Sequence, residues 1–324
     1  VKQSFYYKNY GDPVEEIHFG NFAISDLEDD EILVKMEMCP VNPSDLIPIT
    51  GAYAARIHLP QFAGYEGVGK VVSVGKLVPQ EWLGRRVLPL RGEGTWQTYV
   101  KTKVDFAIRV PDSIPSEDAC RLYINPLTAS LIVKNSLHVS PDSIVILDGG
   151  YSNLNCVLIQ LLKRLNCKVF VVARTHRYTQ QLLKLGCSQV FLANKKDLVQ
   201  QILESTNYQG CDYGIDCVGG EIGTRLIQTI EKNGHFLSVG LMSQTPVDQQ
   251  MLSDRTDLTV ILFFLRLWNS KLTVAQWYDK MNSIVADIEN HKLQLSKRYK
   301  VITAADFTVN LRAIKDDQKV LIKF

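Results

Sequence analysis

The sequence carries no surplus of either charge. Its 36 lysines and arginines face 34 aspartates and glutamates, a formal net charge of +2. Without a basic field there is no electrostatic footprint for nucleic acid or for an anionic membrane surface, so neither is expected as a partner. Any anionic ligand must be held by local groups. No apolar run reaches the roughly 18 residues of a membrane span. The N-terminal stretch has neither a signal-peptide core nor an Arg-rich transit pattern. A cytoplasmic protein is expected, with a processed mitochondrial form left open because the chain opens on Val1. The seven cysteines (39, 120, 156, 167, 187, 211 and 217) never form a C-x-x-C pair, which argues against both a disulfide framework and a thiolate zinc cluster. Internal repeats and low-complexity tracts are absent, and so is the G-x-G-x-x-G dinucleotide pattern.

What is present divides the chain in two. At 324 residues, 46% hydrophobic and 22% charged, it has material for two cores. The first 110 residues hold short alternating runs (EILVKMEM, GVGKVVSVG, RRVLPL, TWQTYV) between Gly- and Pro-rich loops, the pattern of a β-rich domain. From Pro111 to Ser136 the pattern is helical, with Pro126 expected to kink or interrupt it. From Ser143 short apolar strands alternate with helices, which predicts an α/β doubly wound parallel sheet. In its first helix Leu154, Val157, Leu158, Leu161, Leu162 and Leu165 mark one buried stripe. A final helix and strand, ending KVLIKF, most simply return to the β domain. The expected division is 1–120 with 275–324 for the β domain and 121–274 for the parallel sheet. The apolar segment near Thr256 to Leu267 suits a sixth strand, a dimer edge, or both.

Three places carry candidate chemistry. The stretch LDGGYSNLNC turns from strand to helix, which brings backbone N–H groups and the positive end of a helix toward a phosphate. Gly149, Gly150 and Ser152 suit that use; Asn153 suits a positive φ or a cap, and Asn155 falls in the first turn. The same residues would also serve a plain capped helix. The next strand ends VVARTHRY, with Arg174 and no acid where an NAD site places Asp or Glu, so NADPH or an ordinary solvated basic turn is implied. In the β domain Asp45 and Glu66 could do acid–base work, although capping a loop and bonding backbone amides are the commoner uses of such carboxylates. Tyr53, in the loop GAY, is either a hydrogen-bond and proton donor or a packed aromatic.

Over nearly its whole length the chain resembles the medium-chain dehydrogenase/reductase superfamily, through VNPSDL (41–46), GYEGVGKVVSVG (64–75), GTWQTYV (94–100), INPLTA (124–129), CVGG (217–220) and SVGLM (238–242). The resemblance implies a GroES-like β-barrel-type catalytic domain beside a Rossmann cofactor domain. Zinc-dependent members bind their metal through a Cys and a His where this chain is similar in register but has Asn42 and Tyr65, so a zinc-free enzyme is implied. GAY after NPSD, GTW, NPLTA and KVLIKF look most like the mitochondrial-type trans-2-enoyl-thioester reductases, with NADPH:quinone oxidoreductases next. The first of these implies Tyr53 as proton donor, with Asn42 beside it as a second catalytic position. It implies Asn125 and Thr128 near the nicotinamide, Tyr151, Ser152, Asn153 and Leu154 at the pyrophosphate, and Arg174, Thr175 and His176 at the 2′-phosphate. Gly240, Leu241, Met242, Ser243, Phe263, Phe264, Leu265 and Lys319 complete the implied NADPH contacts.

Three functions follow as expectations: an NADPH-dependent reductase of enoyl thioesters, a quinone or small-enone reductase, or a non-catalytic relative. The third is motivated by Asn153-Leu154-Asn155 standing where the family has a G-x-G pair. A homodimer acting on a small-molecule substrate is expected for the first two.

Overall fold

A computed structural model describes residues 1–312 and 318–324. The chain divides into two compact units, one of Val1–Ile124, Leu272–Lys292 and Lys297–Phe324, the other of Asn125–Lys271 and Leu293–Ser296.

The second unit is built on six parallel strands: β1 (Ile144–Leu147), β2 (Lys168–Ala173), β3 (Gln189–Leu192), β4 (Cys211–Asp216), β5 (Ile230–Ser238) and β6 (Thr259–Leu262). Their spatial order is 3-2-1-4-5-6, the doubly wound arrangement. Leu147 sits level with Val171 and Ile215, and Leu237 with Ile215 and Ile261, so the strand ends line up along one edge. That alignment gathers the loops leaving the sheet. Helix α1 (Asn153–Arg164) is capped by Ser152, whose hydroxyl accepts from the Asn155 amide at 3.2 Å. Its buried surface is wider than the expected stripe. Asn155, Cys156 and Ile159 are buried with Val157, Leu158, Leu161 and Leu162, while Leu154 and Leu165 lie half exposed. Strand β6 is the sixth strand at the sheet edge, with Val260 and Leu262 exposed.

Pro126 does not interrupt a helix. It is the third residue of Ile124–Leu131, where the missing N–H belongs to the first turn and has no intrahelical partner to lose. The break falls earlier, between the short helix Ser116–Ala119 and Ile124.

In the first unit the long strand Glu31–Pro40 is central, pairing with Val68–Val74, Tyr99–Lys103 and the C-terminal Lys319–Lys323. A second, three-stranded sheet joins His18–Phe22, Lys2–Tyr7 and Gln61–Phe62. Phe5, Trp96 and Phe307 meet edge to face in the core, with ring centroids 5.2 to 6.3 Å apart. All seven cysteines are buried and free. The expected fold class is the one observed: a mixed α/β chain with a β-rich N-terminal unit and a doubly wound parallel sheet.

Gly64 shows how closely this core is fitted. It has φ +89°, and a Cβ there would lie 2.2 Å from Trp96 Cδ1 and 2.6 Å from Thr95 Oγ1. Gly64→Ala is expected to cost about 3 kcal/mol of stability through backbone strain and displacement of Trp96. Denaturant unfolding, read by tryptophan fluorescence, checks this.

Candidate active site

The turn Asp148–Ser152 is a left-handed bend at two successive glycines, Gly149 (φ +79°) and Gly150 (φ +53°). Three fastenings hold it. The Gly150 amide donates to Val172 O of β2 at 3.0 Å, and the Asn155 side chain donates to Asp148 O at 2.5 Å and Gly150 O at 2.8 Å. Asn155 is fully buried, and its side chain closes the turn from beneath. Tyr151, Ser152, Asn153 and Leu154 are half exposed at the start of α1, with the helix amides directed toward the turn. Beside them, at the end of β2, Arg174, Thr175 and His176 are exposed. Thr175 Oγ1 caps the short turn His176–Tyr178 by accepting from the Arg177 amide. The Tyr151 and Tyr178 rings stack with centroids 5.1 Å apart, so the two turns face each other through an aromatic pair that the sequence did not signal.

The other loops at this edge meet on two buried carboxyls. Asp148 Oδ1 accepts from the Cys217 amide at 2.6 Å; Asp216 Oδ1 accepts from Gly219 N at 2.7 Å and Val218 N at 3.1 Å, and Asp216 Oδ2 from Ser238 Oγ at 3.2 Å. Burial, then the neighbouring Asp216 carboxylate, pushes Asp148 well above the usual carboxylate range, so it is held as an acid. Loop 240–243 hangs from the same segment: Met242 N donates to Cys217 O and Ser243 N to Val218 O. A Cβ on Gly240 would lie 2.7 Å from Cys217 O. Leu241, Met242 and Ser243 are exposed. Phe263 is buried, its amide bonded to Ser238 O, while Phe264 is exposed and Leu265 opens the next helix. On the helix Ile124–Leu131, Asn125 is half exposed and Thr128 buried. The implied nucleotide contacts of β1, β2, β5 and β6 thus lie at the carboxyl ends of parallel strands, where ligands of such sheets bind.

In the first unit a buried polar cluster joins residues far apart in sequence. Asn42 Nδ2 donates to Glu66 Oε1 at 2.7 Å, and Lys319 Nζ donates to Asn42 Oδ1 and to Val41 O. Asp45 Oδ2 accepts from the Asn42 amide at 2.6 Å, and Glu66 Oε2 accepts from the amides of Tyr123 and Ile124, each at 3.0 Å. Asp45 and Glu66 therefore serve as cap and amide acceptor, the commoner of their two uses. Asn42 and Lys319, expected at separate tasks, are bonded to each other and nearly inaccessible, at 2% and 9% exposure. Burial raises Asp45 to about 7 and lowers Lys319 to about 8. The donors at the two metal-ligand positions do not fit zinc: Asn42 spends its amide on Glu66 and Lys319, and Tyr65 offers no imidazole. Among the described residues no group of three His, Cys, Asp or Glu side chains is placed to hold a metal ion.

Tyr53 makes none of the hydrogen bonds named in this cluster. It caps the short helix Ala54–Arg56 just after Gly51, whose φ is +88°. The Tyr53 ring is half buried, and its hydroxyl bonds no described residue. The Arg56 guanidinium lies 4.0 Å from the ring centroid. Arg56 went unnoticed in the sequence, although the spacing of three residues, one short-helix turn, was visible.

Taken together, a doubly wound sheet with a Gly-Gly turn, a basic second-strand end and a β-rich partner unit defines a dinucleotide-dependent oxidoreductase scaffold. Residues 28–112 match the alcohol dehydrogenase GroES-like domain, and residues 156–284 the zinc-binding dehydrogenase domain. The mitochondrial enoyl-[acyl-carrier-protein] reductase of Rattus norvegicus is 30% identical over 268 residues, which cover 81% of this chain and 72% of that one. A solved structure of a putative NADPH:quinone reductase from Bacillus thuringiensis is 36% identical, with a TM-score of 0.95 over 100% of this chain and 99% of that one. The Etr1p/NADP/crotonyl-CoA complex is 25% identical, with a TM-score of 0.84 over 100% and 99%. The chain belongs to the medium-chain dehydrogenase/reductase superfamily.

Two outcomes test the site as described. Asn155→Ala strips two hydrogen bonds from the Gly-Gly turn and is expected to cost about 2 kcal/mol and to weaken nucleotide affinity; thermal melting and fluorescence titration with NADPH read both. The second concerns pH. Folded Asp45 keeps a proton to about 7 that the unfolded chain gives up near its ordinary 3.8, so its contribution to stability falls as pH rises between those values. Lys319 gives its proton up near 8 when folded and near 10.5 when unfolded, so its contribution rises between those values. In melting curves across pH, Asp45→Asn should shrink the first limb, to which buried Glu66 also contributes, and should start the second limb at lower pH, since the Asp45 charge helps Lys319 keep its proton.

Proposed function

We propose that the chain is a zinc-independent, NADPH-dependent reductase of 2-enoyl thioesters in which Tyr53 is the proton donor. The observation that carries this reading is Tyr53 itself: a half-buried tyrosine on a glycine-turned loop, with no described residue bonding its hydroxyl. Bound NADPH would supply hydride to the β-carbon of the activated C=C. The turn Tyr151–Leu154 would take the pyrophosphate on the helix amides, and Arg174, Thr175 and His176 the 2′-phosphate. Asn125, Thr128, Gly240–Ser243 and Phe263–Leu265 would flank the nicotinamide. Asn42 and Lys319 are assigned to bracing: with both amide ends of Asn42 engaged, the pair fixes the loop ahead of Tyr53 instead of meeting substrate or cofactor. With no metal assigned, the charge growing on the thioester oxygen must be met by hydrogen bonds, and Tyr53 would give its proton to the α-carbon.

A second reading, NADPH:quinone or small-enone reduction, is favoured by the 36% identity to the Bacillus thuringiensis neighbour. A homodimer formed through the exposed edge of β6 is part of either proposal. No helix among the described residues is long and apolar enough to cross a membrane.

Loss of NADPH absorbance with crotonyl-CoA, set beside a small quinone, separates the two readings; absence of NADPH binding at millimolar concentration would favour a non-catalytic relative. Tyr53→Phe is expected to lower enoyl turnover about a hundredfold or more with NADPH affinity unchanged. Undiminished turnover would remove Tyr53 from the reaction.

A further inference from the structure

The segment Gly51–Ile57 is fixed more firmly than an exposed loop needs to be. Ala54 N donates to Gly51 O and Arg56 N to Tyr53 O, each at 3.0 Å. Tyr10 packs against Gly51 and donates its hydroxyl to Ile57 O at 3.2 Å. The short helix sets Arg56 one turn after Tyr53, and the guanidinium lies over the ring face at 4.0 Å from the centroid. Among the described residues no carboxylate pairs with Arg56, which is exposed. Its guanidinium is nonetheless laid on an aromatic face, and its charge is also felt by Tyr7. The arrangement has an electrostatic direction. A cation over a phenol is attracted by the ring's quadrupole, and the attraction grows when the phenol acquires negative charge.

We propose that Arg56 is a positioning residue for proton donation, holding the Tyr53 ring in place and stabilising the negative charge that develops on it as its proton leaves. This rests on the enoyl-thioester reading and extends it. In the step concerned, hydride arriving with its electron pair at the β-carbon leaves an enolate. The enolate α-carbon forms a new C–H bond with the Tyr53 proton, the phenolic O–H bond breaks, and its electron pair stays on the oxygen. Solvent then returns a proton to Tyr53. Charge moves from substrate to phenolate oxygen, and Arg56 is the cation that faces that ring. A fixed charge already in place needs no reorganisation during the transfer. Because Arg56 acts on the donor and does not hold the substrate, its effect belongs on turnover and not on binding.

The test is kinetic, on the full chain, with crotonyl-CoA and NADPH. Arg56→Met keeps the stem and removes the charge; it is expected to lower kcat about fourfold, to leave both KM values unchanged, and to raise the solvent deuterium isotope effect on kcat. Arg56→Lys, which restores a cation, should recover much of the loss. In a double-mutant cycle, Arg56→Met should have little further effect once Tyr53 is Phe, since the group it acts through is gone. An unchanged kcat, a rise in KM alone, no recovery with lysine, or an equal loss in the Tyr53→Phe background would each overturn the proposal. Matching thermal midpoints exclude misfolding as the cause. If the parent protein reduces no enoyl thioester, the underlying reading fails; if it does, and Tyr53→Phe silences it while Arg56→Met does not slow it, only the role of Arg56 fails.

Discussion

The carboxyl edge of the parallel sheet in the second unit depends on two carboxyls that never reach its surface. Asp148 and Asp216 end the central strands β1 and β4, and between them they accept the amides of Cys217, Val218 and Gly219 and the hydroxyl of Ser238. The loop at 240–243 is bonded in turn to the carbonyls of Cys217 and Val218. The Gly-Gly turn departs directly from Asp148, and Asn155 ties it back to the Asp148 carbonyl. One acid pair therefore sets the relative heights of three loops. Two buried carboxylates would repel each other, so the arrangement is sustained by Asp148 remaining an acid.

This explains why the turn functions as a shape without the usual glycine pattern. Glycines in such turns let the backbone come close to a phosphate and to the neighbouring strand. Here Gly149 and Gly150 supply the left-handed bend, and the closing task falls to an amide side chain from the first turn of α1. Asn153 and Leu154 then need only be tolerated at the rim, where they stay half exposed.

The parallel sheet was legible because each strand–helix unit repeats one local pattern, and burial of apolar strands between helices leaves few other solutions. The exposed polar end of β2 was legible for a similar reason: Arg174, Thr175 and His176 follow an apolar strand whose place in the repeating unit was already recognised. Asn155 was open to misreading, since an asparagine in a first helical turn points outward or inward according to a burial that spacing does not encode. The cluster of Asn42, Asp45, Glu66 and Lys319 was out of reach, because its partners are separated by 24 and 277 positions and meet only through strand pairing. Pro126 misled by type: a helix breaker in an interior is harmless in a first turn. Arg56 had a legible spacing but no reason to be singled out until its side chain was seen over the ring.

Both substrate classes proposed for this fold are electrophiles, an alkene or a quinone conjugated to carbonyl. Such molecules alkylate protein thiolates readily. Every cysteine of the chain lies below the surface, and burial lifts the thiols of Cys39, Cys120, Cys167, Cys187, Cys211 and Cys217 above their ordinary range, with Cys187 near 11 and Cys211 near 12. Thiolates, the softest nucleophiles a protein has, are thus kept from the surface, and burying the sulfur would double as chemical resistance to compounds of either proposed class.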